Sequence, residues 1–325
     1  MTEVSDRALR HDLVVYDHDD LLVHTVVPFV EDGLSLNEVV IVQAPQRTWD
    51  VLSSQLDSGT PIVRDPLMEL LDHPHQKIWG LAQYVRDELE AGATGVRAVE
   101  EIPSDALTRY PAEWARAEAI INHVFRDLDL WELCPYSRES LPPDVIENAQ
   151  RTHSGLVEPG RRRENPDYQQ PRAFLRFIDS QRAADPREAR PPFIAQPLVT
   201  MYDLALVRSH LDDALDHTIL REERKADFRA AVFEVGVNAL LHGGPTASVQ
   251  IWVTAGRILC RVRDDGPGLE DPLVGYEPPG SDPLKGVHGL WLARQLCDIT
   301  TATMEPEGFT VRLSMGVRDA PSMHV

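Results

Sequence analysis

Cysteine is scarce in this sequence: three residues in 325, Cys134, Cys260 and Cys297, with no Cys-x-x-Cys spacing among them. An odd, unpaired set argues against a disulfide framework and fits a reducing compartment, with all three read as small buried hydrophobes. Basic residues are short as well. Lys and Arg number 32 against 52 Asp and Glu, a formal net charge of -20, whereas phosphate contacts need clustered cations to release counterions. Direct contact with nucleic acid is therefore set aside. No stretch approaches the roughly 18 apolar residues of a membrane span. The opening MTEVSDRALRHDLVV also lacks a basic segment followed by an apolar run, so no membrane contact is expected and the location is read as cytoplasmic. Three patterns are missing too: a G-x-x-x-x-G-K-S/T phosphate loop, the third glycine of a dinucleotide fingerprint, and any internal repeat.

What is present is an ordinary globular composition, 42% hydrophobic and 26% charged, over a length that exceeds the usual single core, so two domains are expected. The first half alternates strand-like and helix-like segments: LVVYD at 13–17, DLLVHTVVPFVEDGL at 20–34 and VVIVQAP at 39–45. Helical stretches follow at 46–57 and at 75–92, ending on Gly92, then the strand GVRAVEEI, a long helix around 106–128 and the strand WELCPY at 131–136. Such alternation predicts an α/β domain with a parallel sheet, and unbroken runs such as VVIV suit strands covered on both faces. After Leu156 the text turns to Pro, Arg and Glu, in VEPGRRRENPDYQQPR and RAADPREARPPF, around one helical segment, AFLRFIDSQRA. This is read as a linker, giving domains at 1–160 and 196–325 with a helix-bearing connection at 161–195. The last segment runs helix, helix, strand, strand, loop, helix, strand, strand, which predicts an α+β sandwich.

The chemistry concentrates in that last segment. On the helix ending near Gly243, Phe233, Val237, Leu240 and Leu241 fall at helical spacing and read as the core face. Glu234, Asn238 and His242 form a polar stripe beside it, which by itself reads as a solvated face and gains meaning only from what lies downstream. The strand RILCRVRD then leads into Asp264-Asp265-Gly266-Pro267-Gly268, where glycines permit close backbone approach to a ligand. A stretch of glycine and proline, VGYEPPGSDPLKGVHG, precedes the helical run GLWLARQLCD, whose free N–H groups suit an anion. Gly308-Phe309-Thr310-Val311-Arg312-Leu313 reads as a terminal strand with alternating faces.

In order and spacing these pieces resemble the N box, the two glycine boxes and the final threonine strand of the GHKL (HATPase) superfamily. The closest likeness is to the anti-sigma-factor serine/threonine kinases, over roughly 196–317. The resemblance implies a Bergerat-type ATP-binding sandwich in which Asn238 holds Mg²⁺ at the ATP phosphates and Glu234 is the general base. It further implies that Asp264 accepts from the adenine amino group, that Gly266 and Gly268 lie against the base, that Thr310 supports that contact, and that Gly286 and Gly289 belong to a mobile lid. Lys285 or Arg294 is the candidate phosphate contact. One departure is Val287, where the family has glycine.

The first domain carries a second resemblance. His11-Asp12-Leu13, VVPFVEDGLSLNEVVIVQAP, Trp114, Glu118-Ala119-x-x-Asn122, Leu133-Cys134-Pro135-Tyr136 and Arg151-Thr152-His153 are similar to the MEDS sensory domain, over about 8–160. That resemblance implies a RecA- or KaiC-like core. No recognised metal-ligand spacing links Cys134, His11, His153, His73 and His75, and these are read as structural or solvated. The leading functional expectation is a switch in which the sensory domain biases a kinase acting on an STAS-type anti-sigma-factor antagonist, with sequestration of a sigma factor and a homodimer as the implied partners. The alternative is a partner-binding regulator that acts by docking alone, which Val287 favours. A sensor histidine kinase would need a phospho-acceptor hairpin around His210 or His217, and neither segment is long enough.

Overall fold

The computed structural model describes residues 9–57, 59–64, 73–181, 185–278 and 287–317. Two compact units divide the chain, Met1–Ile178 and Asp179–Val325.

In the first unit the described elements are β1 (Arg10–Tyr16), α1 (Asp19–Ser35), β2 (Val39–Gln43), α2 (Gln46–Ser53), β3 (Ile62–Arg64), α3 (Pro74–Glu90) and β4 (Val96–Glu100). Then come α4 (Ser104–Arg109), α5 (Pro111–Val124), β5 (Leu130–Ser137), α6 (Pro143–Thr152), β6 (Gly155–Glu158), β7 (Arg161–Glu164) and α7 (Pro171–Ser180). The strands lie in the order β3-β2-β4-β5-β1-β6-β7, parallel except for the β6–β7 hairpin. The apolar run of β2 is buried from Val40 to Gln43, as expected for a strand covered on both faces. Helix α1 packs Leu22, Val26, Phe29 and Val30 on one side of the sheet, against Val40, Val42, Val99 and Leu133, and its acidic first turn, Asp19 and Asp20, complements the helix dipole.

The single helix read at 106–128 is two. Pro111 supplies no N–H and forces its predecessor out of the helical region, leaving Tyr110 at φ -136°, ψ 60° between α4 and α5. The stretch read as a linker also folds. Arg161–Glu164 closes the sheet as a fully exposed, charged edge strand, a composition that discourages edge pairing. Arg162 reaches back to the buried Asp12 at 2.7 and 2.9 Å. Phe174 and Ile178 of α7 pack on Ala115 and Ala119 of α5.

The second unit holds a 3-10 turn (Pro186–Ala189), β8 (Ile194–Leu198), α8 (Met201–Asp216), α9 (Glu222–His242), β9 (Ala247–Thr254), β10 (Arg257–Asp264), α10 (Val287–Leu296), β11 (Ile299–Glu305) and β12 (Gly308–Gly316). The five strands form an antiparallel sheet, β11-β12-β10-β9-β8, and the three helices pack on it around Val207, Phe228, Val232, Ile251, Cys260 and Leu313. On β12, Thr310 through Gly316 are all buried, so the expected alternation of exposure is absent. The one charged residue buried there is covered by ionic partners: Arg312 meets Glu188 at 2.7 Å and Glu305 at 2.6 Å.

The core face of α9 differs from the one its hydrophobic residues suggested. Phe228, Ala231, Val232, Val235, Gly236 and Ala239 are buried. Val237 and Leu240 are only partly buried, and Phe233 and Leu241 are exposed, Leu241 by 69%. Steric room decides this. A Cβ on Gly236 would come within 2.5 Å of Leu204 Cδ1 on α8, so α9 meets α8 closely where it carries no side chain, and the face holding Gly236 turns inward.

Candidate functional site

The second unit contains a cavity of about 160 Å³ between α9, β10, β12 and the start of α10. A cavity of about 150 Å³ is known to accommodate a benzene ring, so this one is scaled to a flat ring. Its walls are mostly apolar, with Val235, Ala239, Val262, Leu269, Val274 and Leu290, and its polar lining includes Asn238, His242 and Asp264. Strand register builds one wall: Val262 and Asp264 of β10 pair with Val311 and Phe309 of β12, and all four face the cavity because alternate residues share a face.

Asp264 is 8% exposed, and its Oδ1 accepts the N–H of Gly266 at 2.9 Å. Burial pushes its carboxyl above the usual range, the Gly266 N–H opposes that shift, and the neighbouring Asp265 adds to it. It is thus a strong acceptor held at some cost in an apolar setting, and it gains from a donor brought in by a ligand. The glycine turn places it. A Cβ on Gly266 would sit 2.8 Å from Asp264 Oδ1 and 2.9 Å from Gly243 Cα, and Gly268 turns the chain at φ +73°, which other residues resist.

Of the residues singled out in the sequence, Asn238, His242, Asp264 and Gly268 line this cavity together. Glu234 lies one turn before Asn238 on the same helical face, half-buried and outside the lining. Gly289 packs directly on α9, where an added Cβ would be 2.6 Å from Asn238 Nδ2. Thr310 lies on the opposite face of β12 from Phe309 and Val311, fully buried, and its hydroxyl has no hydrogen-bond partner. Phe309 takes the cavity position instead. Only the strand register, Phe309 opposite Asp264, could have revealed that. Arg294 is engaged outside the cavity: it donates to Thr300 O at 2.9 Å and stacks 3.7 Å from the Tyr276 ring centroid. Gly286 and Lys285 fall outside the described residues.

Residues 199–315, which hold all of this geometry, match the family model of the histidine kinase-like ATPase domain. Residues 10–154 match that of the MEDS domain, the MEthanogen/methylotroph, DcmR Sensory domain. The chain joins a MEDS domain to a histidine kinase-like ATPase domain. No curated protein gives a match. Among the described residues no helix is long and apolar enough to cross a membrane.

The MEDS domain has a cavity of its own, about 560 Å³, at the carboxyl ends of its parallel strands, where open α/β sheets characteristically bind ligands. Tyr16 at the end of β1, Arg47 on α2, Glu101 after β4 and Ser137 at the end of β5 line it. Tyr16 donates its phenol to Glu101 Oε1 at 2.6 Å. Burial raises the pKa of both groups, and the Tyr16 phenol keeps the proton that it donates. The lining offers donors and acceptors to a small polar or polarisable molecule.

Proposed function

We propose that the chain is a cytoplasmic regulatory kinase, in which a Bergerat-type ATP site in the ATPase domain serves phosphotransfer to a serine or threonine of an STAS-type anti-sigma-factor antagonist, under the control of the MEDS domain. A sigma factor sequestered by the same protein, and a second copy of the chain in a homodimer, complete the proposed partners. The observation that carries this reading is the ring-sized apolar cavity with Asp264 as its buried acceptor and Asn238 on its wall. Apolar walls suit the faces of adenine, and a carboxylate acceptor suits its exocyclic amine. The amide oxygen of Asn238 is a hard donor appropriate to Mg²⁺, and that ion supplies charge neutralisation along the phosphates. Gly266 and Gly268 let the backbone lie close to the base, while Gly289 sits in the first turn of α10, whose free N–H groups attract phosphate. Glu234, beside Asn238, accepts the proton of the substrate hydroxyl. The carboxyl-end cavity of the MEDS domain is the proposed seat of the signal molecule, on a RecA- or KaiC-like sheet.

A specific observation favours a second reading, regulation by docking without transfer. Gly289 presses on the Asn238 amide, and α10 opens on Val287, where the resembled kinases have glycine. Val199, Met201 and Tyr202 are exposed around the start of α8 and supply apolar contact area for a partner.

Calorimetric titration of ATP, with and without Mg²⁺, into the intact protein and Asn238→Ala tests the choice. Mg²⁺-dependent binding that Asn238→Ala abolishes supports the kinase. An intact protein that takes up no ATP sinks it and leaves docking.

A further inference from the structure

Four side chains from distant parts of the sequence meet inside the MEDS domain. His11 lies on β1, Glu118 on α5, Cys134 on β5 and His153 directly after α6, and one ligand atom of each comes within 4.8 Å of all the others. All four are buried, both histidines completely. The imidazole rings lie 3.9 Å apart, centroid to centroid, and Nε2 of His11 and Nε2 of His153 approach Oε2 of Glu118 at 3.2 and 3.4 Å. None of these three atoms has a hydrogen-bond partner.

The arrangement is unsatisfactory without something between the groups. Nδ1 of His153 lies 2.7 Å from the carbonyl of Ala149, which only accepts, so Nδ1 carries the ring proton. In the neutral ring, Nε2 then directs a lone pair at a carboxylate oxygen in a dry interior. Either a proton or a cation must intervene. A cation seated between the rings and the carboxylate would satisfy all three atoms at once. The buried ammonium of Lys77 is no remedy, because Glu100 engages it.

We propose that His11, Glu118, Cys134 and His153 bind one borderline divalent cation, Zn²⁺ by the character of the donors, in a four-coordinate site. Two nitrogens, a sulfur and a carboxylate oxygen suit zinc and disfavour magnesium or calcium. A tetrahedral ion with bonds of about 2.0–2.1 Å to nitrogen and oxygen sets those donors about 3.3–3.4 Å apart, which the two nitrogen–carboxylate distances already satisfy. Charge also balances: a thiolate and a carboxylate cancel the ion's two charges, the state in which burial is tolerated. On binding, the Cys134 thiol proton leaves for solvent and a sulfur–metal bond replaces the S–H bond. Outer contacts orient the donors. Tyr136 donates to Glu118 Oε1 at 3.0 Å, which leaves Oε2 for the ion, and the Ala149 carbonyl fixes the His153 tautomer. With four protein ligands no position stays open, so the ion acts as a staple joining β1, α5, β5 and the segment after α6.

The full chain, purified from metal-replete cells without chelators, tests this directly. Elemental analysis is expected to give one equivalent of zinc, and refolding with Co²⁺ to give tetrahedral d–d bands with a thiolate-to-cobalt charge-transfer band. Cys134→Ser should remove the charge-transfer band and His153→Gln should remove most of the bound ion. If either variant fails to fold, the double variant Cys260→Ala, Cys297→Ala, which leaves Cys134 as the remaining thiol, must keep the band. Absence of zinc together with absence of a cobalt spectrum overturns the proposal, as does a charge-transfer band that depends on Cys260 or Cys297.

Discussion

Asn at position 264 should separate stability from ligand binding with opposite signs. The Asp264 carboxylate is 8% exposed and its pKa is raised chiefly by burial, so its ionised form burdens the free protein. Asn keeps an oxygen for the Gly266 N–H, now accepted at 2.9 Å, and removes the buried charge. Stability of the free protein should therefore hold or rise. In the nucleotide complex, however, Asn would turn an N–H toward the adenine amine and lose a hydrogen bond to a charged acceptor, worth about 1.5–3 kcal/mol. At about 1.4 kcal/mol per tenfold, Asp264→Asn should weaken ATP binding by about 10- to 150-fold, and the wild type should discriminate similarly against inosine triphosphate, which lacks the amine. Calorimetric titration gives the affinity, and urea denaturation without nucleotide gives the stability. Unchanged ATP affinity would refute the assignment of Asp264 to the base, and affinity and stability falling together would mean that Asp264 is a structural residue.

Four further outcomes concern Glu234, Gly236, Thr200 and Asp203. Glu234→Gln should leave ATP binding nearly intact while lowering phosphotransfer on the order of 10²-fold; transfer at the wild-type rate would remove Glu234 as base. Gly236→Ala places a Cβ 2.5 Å from Leu204 Cδ1, an overpacking cost of about 1–3 kcal/mol against a helix-propensity gain of about 1 kcal/mol. A net loss of stability should appear in urea denaturation, and a gain would mean that α8 and α9 separate freely. Thr200 caps α8 in a reciprocal capping box with Asp203, so Thr200→Ala should cost about 1 kcal/mol. The Thr200 hydroxyl, aided by backbone N–H groups, holds Asp203 below the usual carboxylate range. A depressed folded-state pKa means that the box contributes fully above the unfolded carboxylate pKa and is lost as pH falls through the folded value. The stability gap between wild type and Asp203→Asn should therefore close in acid, and a gap independent of pH would contradict the box.

Order along the chain was enough to read both domains, because their signals are local. VVIV at β2 marks a strand covered on both faces, and Glu-x-x-x-Asn followed by Asp-x-Gly-x-Gly fixes one carboxylate, one amide and one tight turn at set spacings. The break at Pro111 was equally local and could have been read from its missing N–H. Other features depended on contacts between distant segments. The inward face of α9 was set by the room that Leu204 leaves, which favours Gly236 over Phe233 and which no periodicity of α9 contains. Phe309 rather than Thr310 entered the cavity because β12 pairs with β10 in one register, and a shift by one residue would exchange the two faces. His11, Glu118, Cys134 and His153 have no common spacing, and they meet because β1 pairs with β5 while α5 and α6 pack beside them. The sequence by itself determined which groups with useful chemistry the chain carries. Pairing and packing decided which of them share a site, because donor atoms only a few ångströms apart come from separate elements, His11 from more than a hundred residues before the other three.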